Sequence, residues 1–186
     1  IHGLLKNEFD YESTIQCRST NQDEYIPGQP IMHQIRISDD DLNDYLADNF
    51  GIDQTWRAQT KRVPEIFYRS PKAVIGALLS GLIDGDGSVH KSRNVVTYST
   101  ISEALANDVQ SLMQQLGVLS QRYIQDRTNS VGLVRGHVLR RNEPSRAIEV
   151  TGRFVKNLSK YINLYNACKK ERIERIKGSQ IKTSSF

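Results

Sequence analysis

One stretch constrains this chain more than any other: residues 70–89, S-P-K-A-V-I-G-A-L-L-S-G-L-I-D-G-D-G-S-V. Its apolar residues recur at the spacing of a buried helix, and Ser70 followed by Pro71 is typical of a helix start. Small residues recur at every fourth position. Because glycine weakens a helix by roughly 0.5–1 kcal/mol relative to alanine, these small residues indicate close approach of a second helix. The candidates for this helix–helix interface are Ala73, Ala77, Gly81 and Gly85.

The predicted helix ends in two aspartates, Asp84 and Asp86, placed among glycines. Carboxylates are unfavourable at a helix C terminus, where the last carbonyls already carry partial negative charge. A partner helix that brought its own acid to this point would create a site for a hard divalent cation, of which Mg²⁺ is the expected one. The alternative is that a glycine caps the helix and both aspartates are solvated. The D-G-D-G segment at 84–87 does not by itself decide between a metal site and such a cap.

Residues 79–87 resemble the signature of the LAGLIDADG homing endonucleases, since L-S-G-L-I-D-G-D-G matches it at seven of nine positions. The two departures, Ser80 and Gly85, exchange one small residue for another. The R-V-P-E segment at 62–65 is similar to intein-encoded members of the family. A helix expected from Ser102, which would cap it, to Leu116, stopped by Gly117, is similar to the family's second helix. The residues of this helix expected to point inward are Leu105, Val109, Leu112, Met113 and Leu116. The resemblance covers about residues 61–177.

The resemblance implies an α+β fold with the order αββαββα, in which a saddle-shaped antiparallel sheet binds double-stranded DNA. It also implies a sequence-specific endonuclease that makes double-strand breaks by Mg²⁺-dependent phosphodiester hydrolysis, since two metal ions can activate water and stabilise the leaving oxygen. Asp86, the last acid of the motif, would be the catalytic metal ligand, and Asp84 would steady the helix end. The catalytic basic residue would be Lys169 or Lys170, with Arg146 as the alternative. Ser99 and Ser102 could join a water network.

Base recognition is expected from the sheet, because an antiparallel strand pair fits the major groove and presents alternate side chains to base edges. The strand candidates are His90, Lys91, Arg93, Asn94, Thr97, Ser99, Gln121, Tyr123, Gln125 and Arg127. The loop candidates are Arg135, His137, Arg140, Arg141 and Arg146. Phosphate contacts are expected from Lys156, Lys160, Lys169, Lys170 and Arg172.

The formal charge of +4 conceals an asymmetry along the chain. Residues 1–60 hold 4 Lys/Arg and 11 Asp/Glu, whereas residues 61–186 hold 21 and 10. The basic second portion favours a polyanionic partner, although a solvated surface would give the same count. No apolar run reaches the roughly 18 residues of a membrane span. The two cysteines, Cys17 and Cys168, lack metal-site spacing and are expected to be free thiols. We therefore expect an intracellular protein, in the cytoplasm, nucleoid or nucleus, that is neither secreted nor membrane-bound.

Four segments are predicted: 1–52, a strand–loop–strand–helix unit; 53–69, a linker; 70–177, the endonuclease repeat; and 178–186, a disordered tail. In the first segment the strands are expected at 3–12 and 31–38, with a loop at 13–30 between them. The run of aspartates at 39–41 is expected to begin a helix that extends to about residue 49. In the repeat, the motif helix precedes strands at 88–91, 94–100, 119–125 and 146–151, a basic loop or hairpin at 126–145, and helices at 153–165 and 166–177.

The first segment also resembles part of the repeat. Residues 3–10 resemble 117–124 at an offset of 114, and residues 35–38 resemble 148–151 at an offset of 113. This near-constant offset suggests that residues 1–52 are the second half of a first LAGLIDADG repeat, whose motif helix would precede Ile1 in a tandem protein. The alternative is a one-motif chain that pairs with a second copy of itself.

A second function remains open on the same scaffold: a non-catalytic nucleic-acid binder, such as an intron maturase or a transcription factor. The presence of Asp86 favours the enzyme, because a pure binding protein does not need that carboxylate.

Overall fold

A computed structural model describes residues 6, 14–18, 32–36, 40–52, 55–126, 128, 131–134, 137–140 and 143–179. For the four strands at 14–18, 32–36, 131–134 and 137–140 it describes the backbone alone. The chain divides into two compact units, Ile1–Ala47 and Asp48–Phe186. The division falls close to the predicted boundary at residue 52. The predicted tail lies outside the described residues from 180 onward.

The first unit contains an antiparallel pair of strands, β1 (Thr14–Arg18) and β2 (Met32–Arg36). A helix, α1 (Asp40–Phe50), begins in this unit with two acids in its first turn, as predicted from the run of aspartates. The strand predicted at 3–12 is wrong at Lys6, which is helical. The first strand lies instead at Thr14–Arg18, inside the predicted loop, where T-I-Q-C-R alternates polar and apolar residues more regularly.

The second unit begins with a short 3₁₀ helix, Glu65–Arg69, which precedes the motif helix α2 (Lys72–Asp86). Its remaining elements follow in the predicted order: β3 (Gly87–Val89), β4 (Val95–Thr100), α3 (Glu103–Gln115), β5 (Gln121–Gln125), β6 (Val131–Val134), β7 (His137–Arg140), β8 (Ser145–Thr151), α4 (Arg153–Leu158) and α5 (Ala167–Gly178).

Four of these strands form one antiparallel sheet in the order β3-β4-β8-β5, and β6 pairs with β7 as a separate hairpin. The α+β class, the αββαββα order of the principal elements and the antiparallel sheet are therefore confirmed. The extended hairpin considered for 126–145 is also present in the backbone.

The core lies between one face of the sheet and helices α2 to α5. From the motif helix it receives Ile75, Leu79 and Ile83, which are almost fully buried. From α3 it receives all the residues predicted to point inward, Leu105, Val109, Leu112, Met113 and Leu116. Leu116 is the C-cap of this helix, and Gly117 follows it with a φ of +73°, a left-handed conformation that residues with side chains rarely adopt.

Several predicted boundaries are wrong for local reasons. Ser70 does not cap the motif helix: its hydroxyl donates to the Ile66 carbonyl at 2.9 Å, and Pro71 is the N-cap residue. The helix predicted at 153–165 ends at Leu158, after which an irregular segment leads to α5. The predicted linker is part of the second unit, because Val63 is 2% exposed and belongs to its core.

β1 and β2 pair over five residues, as β5 and β8 do. When the two ladders are aligned at Thr14–Arg36 and Gln121–Glu149, the first strands lie 107 residues apart and the second strands 113. Each pair is followed by a helix, and Asp40 and Arg153, where those helices begin, are also 113 residues apart. The offset of 114 predicted for the first strand is wrong, because β1 begins later in the sequence.

Candidate active site and nucleic-acid interface

The motif helix α2 is held against the rest of the second unit at Gly76. A Cβ built on Gly76 would lie closer to the main-chain oxygen of Tyr161 than two atoms can approach. One turn later, the buried Ser80 hydroxyl donates to the Gly76 carbonyl and accepts from the Asn163 amide. The glycine that the fold requires in the first half of this helix is therefore Gly76, which faces the segment between α4 and α5.

The predicted interface stripe lies on a different face of α2. Ala73, Ala77, Gly81 and Gly85 are all exposed. A Cβ built on Gly81 or Gly85 would meet no atom within 4 Å. Val74, beside them, is 41% exposed, which is unusual for an apolar residue of a central helix. The fold of the second unit thus gives no packing reason for glycine at these two positions.

Asp84 is used within the fold, as predicted. Its carboxylate oxygens accept from the backbone amides of Tyr165 and Asn166, at 2.7 and 3.2 Å. Asn166 is the N-cap residue of α5, so the carboxylate also lies at the positive end of that helix. Asp84 therefore fastens the end of α2 to the start of α5.

Lys169 adds a second connection between the same two helices, from its side chain on α5 to the main chain at the end of α2. Its ammonium donates to the carbonyls of Ile83 and Asp84, at 2.9 and 2.8 Å, where the end of α2 carries partial negative charge. The structure thus gives Lys169 a capping role at the end of α2, and its catalytic role stays a prediction. Lys170 is exposed on α5 and is also absent from the lining of the Asp86 cavity described next.

Asp86 lies in the last turn of α2 and lines a cavity of about 320 Å³. The cavity also contains the polar residues Lys61, Ser99, Thr100 and Ser145. Its remaining lining residues are Ala58, Leu82, Tyr98, Ile101 and Leu105. An acid, a cation and several hydroxyls therefore converge at one opening, which is a suitable environment for a phosphate and ordered water.

Lys61 is a basic residue of this cavity that the sequence analysis does not single out. The start of α3 fixes its main chain. Ser102 caps α3 by accepting from the Leu105 amide, and its hydroxyl also donates to the Lys61 carbonyl at 2.5 Å. Asp108 is 5% exposed and accepts from the Val63 amide at 2.8 Å. Ser102 is fully buried, so its predicted place in a water network is wrong, whereas its predicted capping role is confirmed.

The aspartate that holds this segment has further partners. Arg62 lies 3.6 Å from Asp108, between a guanidinium nitrogen and a carboxylate oxygen. Burial, together with the hydrogen bond to Asp108, raises the pKa of Tyr68 far above its ordinary value. The Tyr68 hydroxyl therefore remains a donor to the carboxylate, and residues 61–63 are anchored to α3 at several points.

Tyr98 forms the buried wall of the cavity. Burial and the negative charge of Asp86 raise the pKa of its phenol to about 12. The hydroxyl therefore stays protonated at neutral pH. It can donate a hydrogen bond but cannot serve as a general base.

The residues at this cavity fit one part of a divalent-cation site. Asp86 supplies the anionic oxygen that a hard cation such as Mg²⁺ prefers. Within the described part of the chain, however, no group of three or more His, Cys, Asp or Glu residues could hold a metal ion. A complete site of the predicted kind therefore needs a carboxylate from a second repeat or chain.

The face of the sheet opposite the core carries five of the ten predicted base-contacting strand residues. Thr97 and Ser99 in β4 alternate with the buried Val96 and Tyr98. In β5, Gln121, Tyr123 and Gln125 pair with Glu149, Ala147 and Ser145 of β8, the same strand whose Glu149 pairs with Thr97. The structure thus brings Thr97, Ser99, Gln121, Tyr123 and Gln125 onto one polar sheet face.

The turn between β3 and β4 holds His90, Lys91, Arg93 and Asn94. The His90 ring accepts from the backbone amides of Ser92 and Arg93 through Nδ1, which shapes the turn. Nε2 of the same ring lies 3.1 Å from Arg93 Nε. Lys91 and Arg93 are exposed, and His90 and Asn94 are half-buried.

Two arginines of α5 donate hydrogen bonds to main-chain carbonyls at this turn. Arg172 donates to the Val89 carbonyl at 2.9 Å, and Arg175 donates to the Lys91 carbonyl at 2.5 Å. Arg172 is therefore engaged within the fold, which argues against its predicted phosphate contact. Lys156 is engaged in the same way, with the Ser179 carbonyl at 3.0 Å, whereas Lys160 is exposed and donates to the Asn157 side chain.

Arg146 is wrongly predicted as a base-contacting residue. It pairs with Thr100 in the ladder, on the core side of the sheet, and its side chain is 19% exposed. Its guanidinium donates to the Ile101 carbonyl at 2.8 Å and to the Glu103 carboxylate at 3.2 Å. These contacts position the start of α3. Because they engage the guanidinium of Arg146, little of its positive charge is available to DNA.

The side chains of the remaining DNA-contact candidates lie outside the described part of the chain. Arg127, Arg135 and Arg141 lie outside the described residues, and His137 and Arg140 are described only as the backbone ends of β7. Their predicted contacts with DNA stay predictions. Cys168 is an exposed free thiol, as expected, whereas the side chain of Cys17 is not described.

Within the described residues, no helix has both the length and the apolar character needed to cross a membrane.

Comparison with known proteins shows a similarity to one family over the middle of the chain. Residues 73–163 match the LAGLIDADG-like domain. The DNA gyrase A protein of Mycobacterium leprae (strain TN) is 44% identical over 70 residues, which are 36% of this chain and 6% of the relative. Its counterpart in Mycobacterium gordonae is 36% identical over 105 residues, 53% of this chain and 19% of the relative. A DNA polymerase of Thermococcus hydrothermalis is 46% identical over 61 residues, 33% of this chain and 4% of the relative. The chain therefore spans less than a fifth of the length of each of these relatives.

Proposed function

Since residues 73–163 form a LAGLIDADG-like domain, we propose that the protein is a homing endonuclease that cuts both strands of a long DNA target with Mg²⁺. The observation that carries this proposal is the cavity shared by Asp86 and Lys61. Ser99 belongs both to that cavity and to the polar sheet face. A DNA strand bound on the sheet would therefore reach the acid and the lysine.

The chemistry divides among the residues of the cavity. A divalent cation held by Asp86 would supply Lewis-acid charge at the phosphate and lower the pKa of water. The Lys61 ammonium would offset negative charge that develops on the phosphate oxygens. The protonated Tyr98 hydroxyl, which is buried beside Asp86, would donate to that carboxylate or to an ordered water.

A second repeat would complete the site by packing on the exposed small-residue stripe of α2. Glycine at two of its positions lets another helix backbone approach closely, and no contact within the second unit accounts for either glycine. The partner helix would end beside Asp86 and could bring its own acid there. The source of this repeat is a preceding part of a tandem protein or a second copy of the chain.

The tandem arrangement is favoured by two common features of β1–β2 and β5–β8: each pair has five residue pairs, and the second strands and the helices that follow them share a displacement of 113 residues. The difference of six residues between the two displacements falls in the connection between the strands, where length varies most easily. Residues 1–52 would then be the second half of a first repeat, in which an earlier helix supplies the missing acid.

The relatives support an inserted origin. A DNA gyrase and a DNA polymerase are different proteins, yet each shares a short segment with this chain. A mobile element inserted into both, such as an intein, accounts for this distribution. This distribution supports the proposal that the protein is an intein-type homing endonuclease.

The decisive experiment is cleavage selection from a randomised duplex library with Mg²⁺, followed by assays of Asp86→Asn and Lys61→Met on the selected target. Asp86→Asn should abolish cleavage and leave DNA binding within a few-fold. Lys61→Met should slow cleavage by about 10²-fold or more, the scale found when a group that stabilises developing charge is removed.

Matched controls separate the roles of the charged residues. Glu171→Gln removes an exposed acid of α5 and should cut normally, as should Lys170→Met. If Lys170→Met lost cleavage and Lys61→Met did not, the catalytic basic residue would be Lys170 in α5. A wild-type protein that enriches one DNA sequence but does not cut it with Mg²⁺ would be a non-catalytic binder, and the endonuclease proposal would fail.

A further inference from the structure

Glu149 is an acid at the centre of the polar sheet face. It lies in β8, which is paired on both sides. Its direct neighbours across the two ladders are Thr97 in β4 and Gln121 in β5. Residues directly opposite one another in antiparallel strands have Cβ atoms about 4.5–5.5 Å apart, so these three side chains form one contiguous row.

The Glu149 carboxylate is oriented by the fold. The Tyr123 hydroxyl lies 3.4 Å from Oε2 and donates to it. The Gln125 side-chain amide donates in turn to the Tyr123 oxygen at 3.5 Å. Among the described residues, the contacts of this carboxylate involve Oε2, so Oε1 is available on the polar face.

A carboxylate on a DNA-binding face needs a specific partner. It is repelled by phosphates, and in the major groove it is also repelled by the acceptor atoms of guanine (N7 and O6) and thymine (O4). Adenine presents an acceptor beside its amino group, whereas cytosine presents the N4 amino group as a donor alone. Of the four bases, cytosine therefore complements this position best.

We propose that Glu149 is a specificity-determining residue that accepts a hydrogen bond from the N4 amino group of one cytosine in the DNA target. The inference rests on the proposed binding of DNA by this sheet. Tyr123 acts as the positioning residue, because it holds one oxygen of the carboxylate. Thr97 and Gln121, on either side, can donate to the guanine that pairs with this cytosine.

The test is binding selection from a randomised duplex library without divalent cation, carried out on the purified wild-type protein, Glu149→Gln and Glu171→Gln. The wild type should select cytosine at one position, and Glu149→Gln should lose about tenfold of that preference while the other positions are unchanged. Glu171→Gln, which removes an exposed acid away from the sheet, should give the wild-type profile.

Three results would overturn the inference. If Glu149→Gln has the wild-type base preferences and only binds all sequences more tightly, Glu149 is a solvated surface charge. A changed preference at a position where the wild type selects guanine or thymine would contradict the hydrogen-bond assignment. Failure of the wild type to enrich any sequence would instead refute the proposed DNA-binding function, and this inference with it.

Discussion

Gly81→Ala tests whether the exposed stripe of the motif helix is an interface. Gly81 lies inside α2, and a Cβ there would meet no atom within 4 Å. The substitution should therefore add the full helix-propensity gain of roughly 0.5–1 kcal/mol. For a chain of this size, the melting temperature should rise by about 1–4 °C.

Cleavage should respond in the opposite direction. If a second helix packs against the stripe, the added methyl group overfills a close contact at a cost of about 1–3 kcal/mol. That cost corresponds to a factor of roughly 5 to 150 in the docking equilibrium. The assay compares cleavage over a range of protein concentrations with thermal unfolding of the same samples. A variant that is more stable and cuts like the wild type at every concentration would refute the interface.

Two other glycines serve as controls for this test. Gly178 ends α5 and also meets no atom within 4 Å, so Gly178→Ala should leave cleavage unchanged. Gly76→Ala should reduce stability by about 1–3 kcal/mol, because its Cβ would collide with the Tyr161 main chain. The three variants thus separate helix propensity, internal packing and docking of a partner.

Two further predictions concern Asp84, which connects α2 to α5, and the buried phenol of Tyr98. Asp84→Asn should lower the free energy of unfolding by about 1–2 kcal/mol in urea titrations, because a neutral amide replaces a carboxylate that accepts from two backbone amides at the start of α5; an unchanged midpoint would contradict this connection. Tyr98 has a pKa of about 12 in the folded protein and about 10 when unfolded, so its contribution to stability is complete below pH 10 and is lost as the pH rises through 12. Tyr98→Phe should therefore flatten the decline of stability between these pH values, and an identical decline in both proteins would show that the phenol is not responsible.

The sequence predicts most of the second unit because its patterns are local. The periodicity of α2 and α3 identifies their buried faces, and Ser102 and Gly117 mark the two ends of α3. Alternation along β4 separates the core residues from Thr97 and Ser99. Each of these signals depends on a few neighbouring residues and on the geometry of one element.

The contacts that complete the site are not local, which is why sequence reasoning misses them. Lys61 reaches the cavity because Ser102 and Asp108, far along the chain, hold the main chain of residues 61–63. Nothing in a mid-helix aspartate signals that it is buried against a distant amide. Position along the sequence alone assigns Lys169 to catalysis, whereas its ammonium caps α2. A long flexible side chain can satisfy either role, and only the fold decides between them.

The two acids of the motif have different surroundings because they lie two residues apart on a helix. Residues two apart on a helix point to different sides, since each step turns by about 100°. Asp84 is thereby directed to α5, where two backbone amides compensate its charge. Asp86 is directed instead to the cavity with Lys61, and it remains exposed. A carboxylate at the negative end of a helix, close to the small-residue stripe, is unfavourable there and would be stabilised by a cation that joined it. The pattern D-G-D-G thus combines one acid that is engaged within the fold with one that lies at the cavity, and this is the physical reason for the proposal that Asp86, and not Asp84, takes part in metal-dependent chemistry.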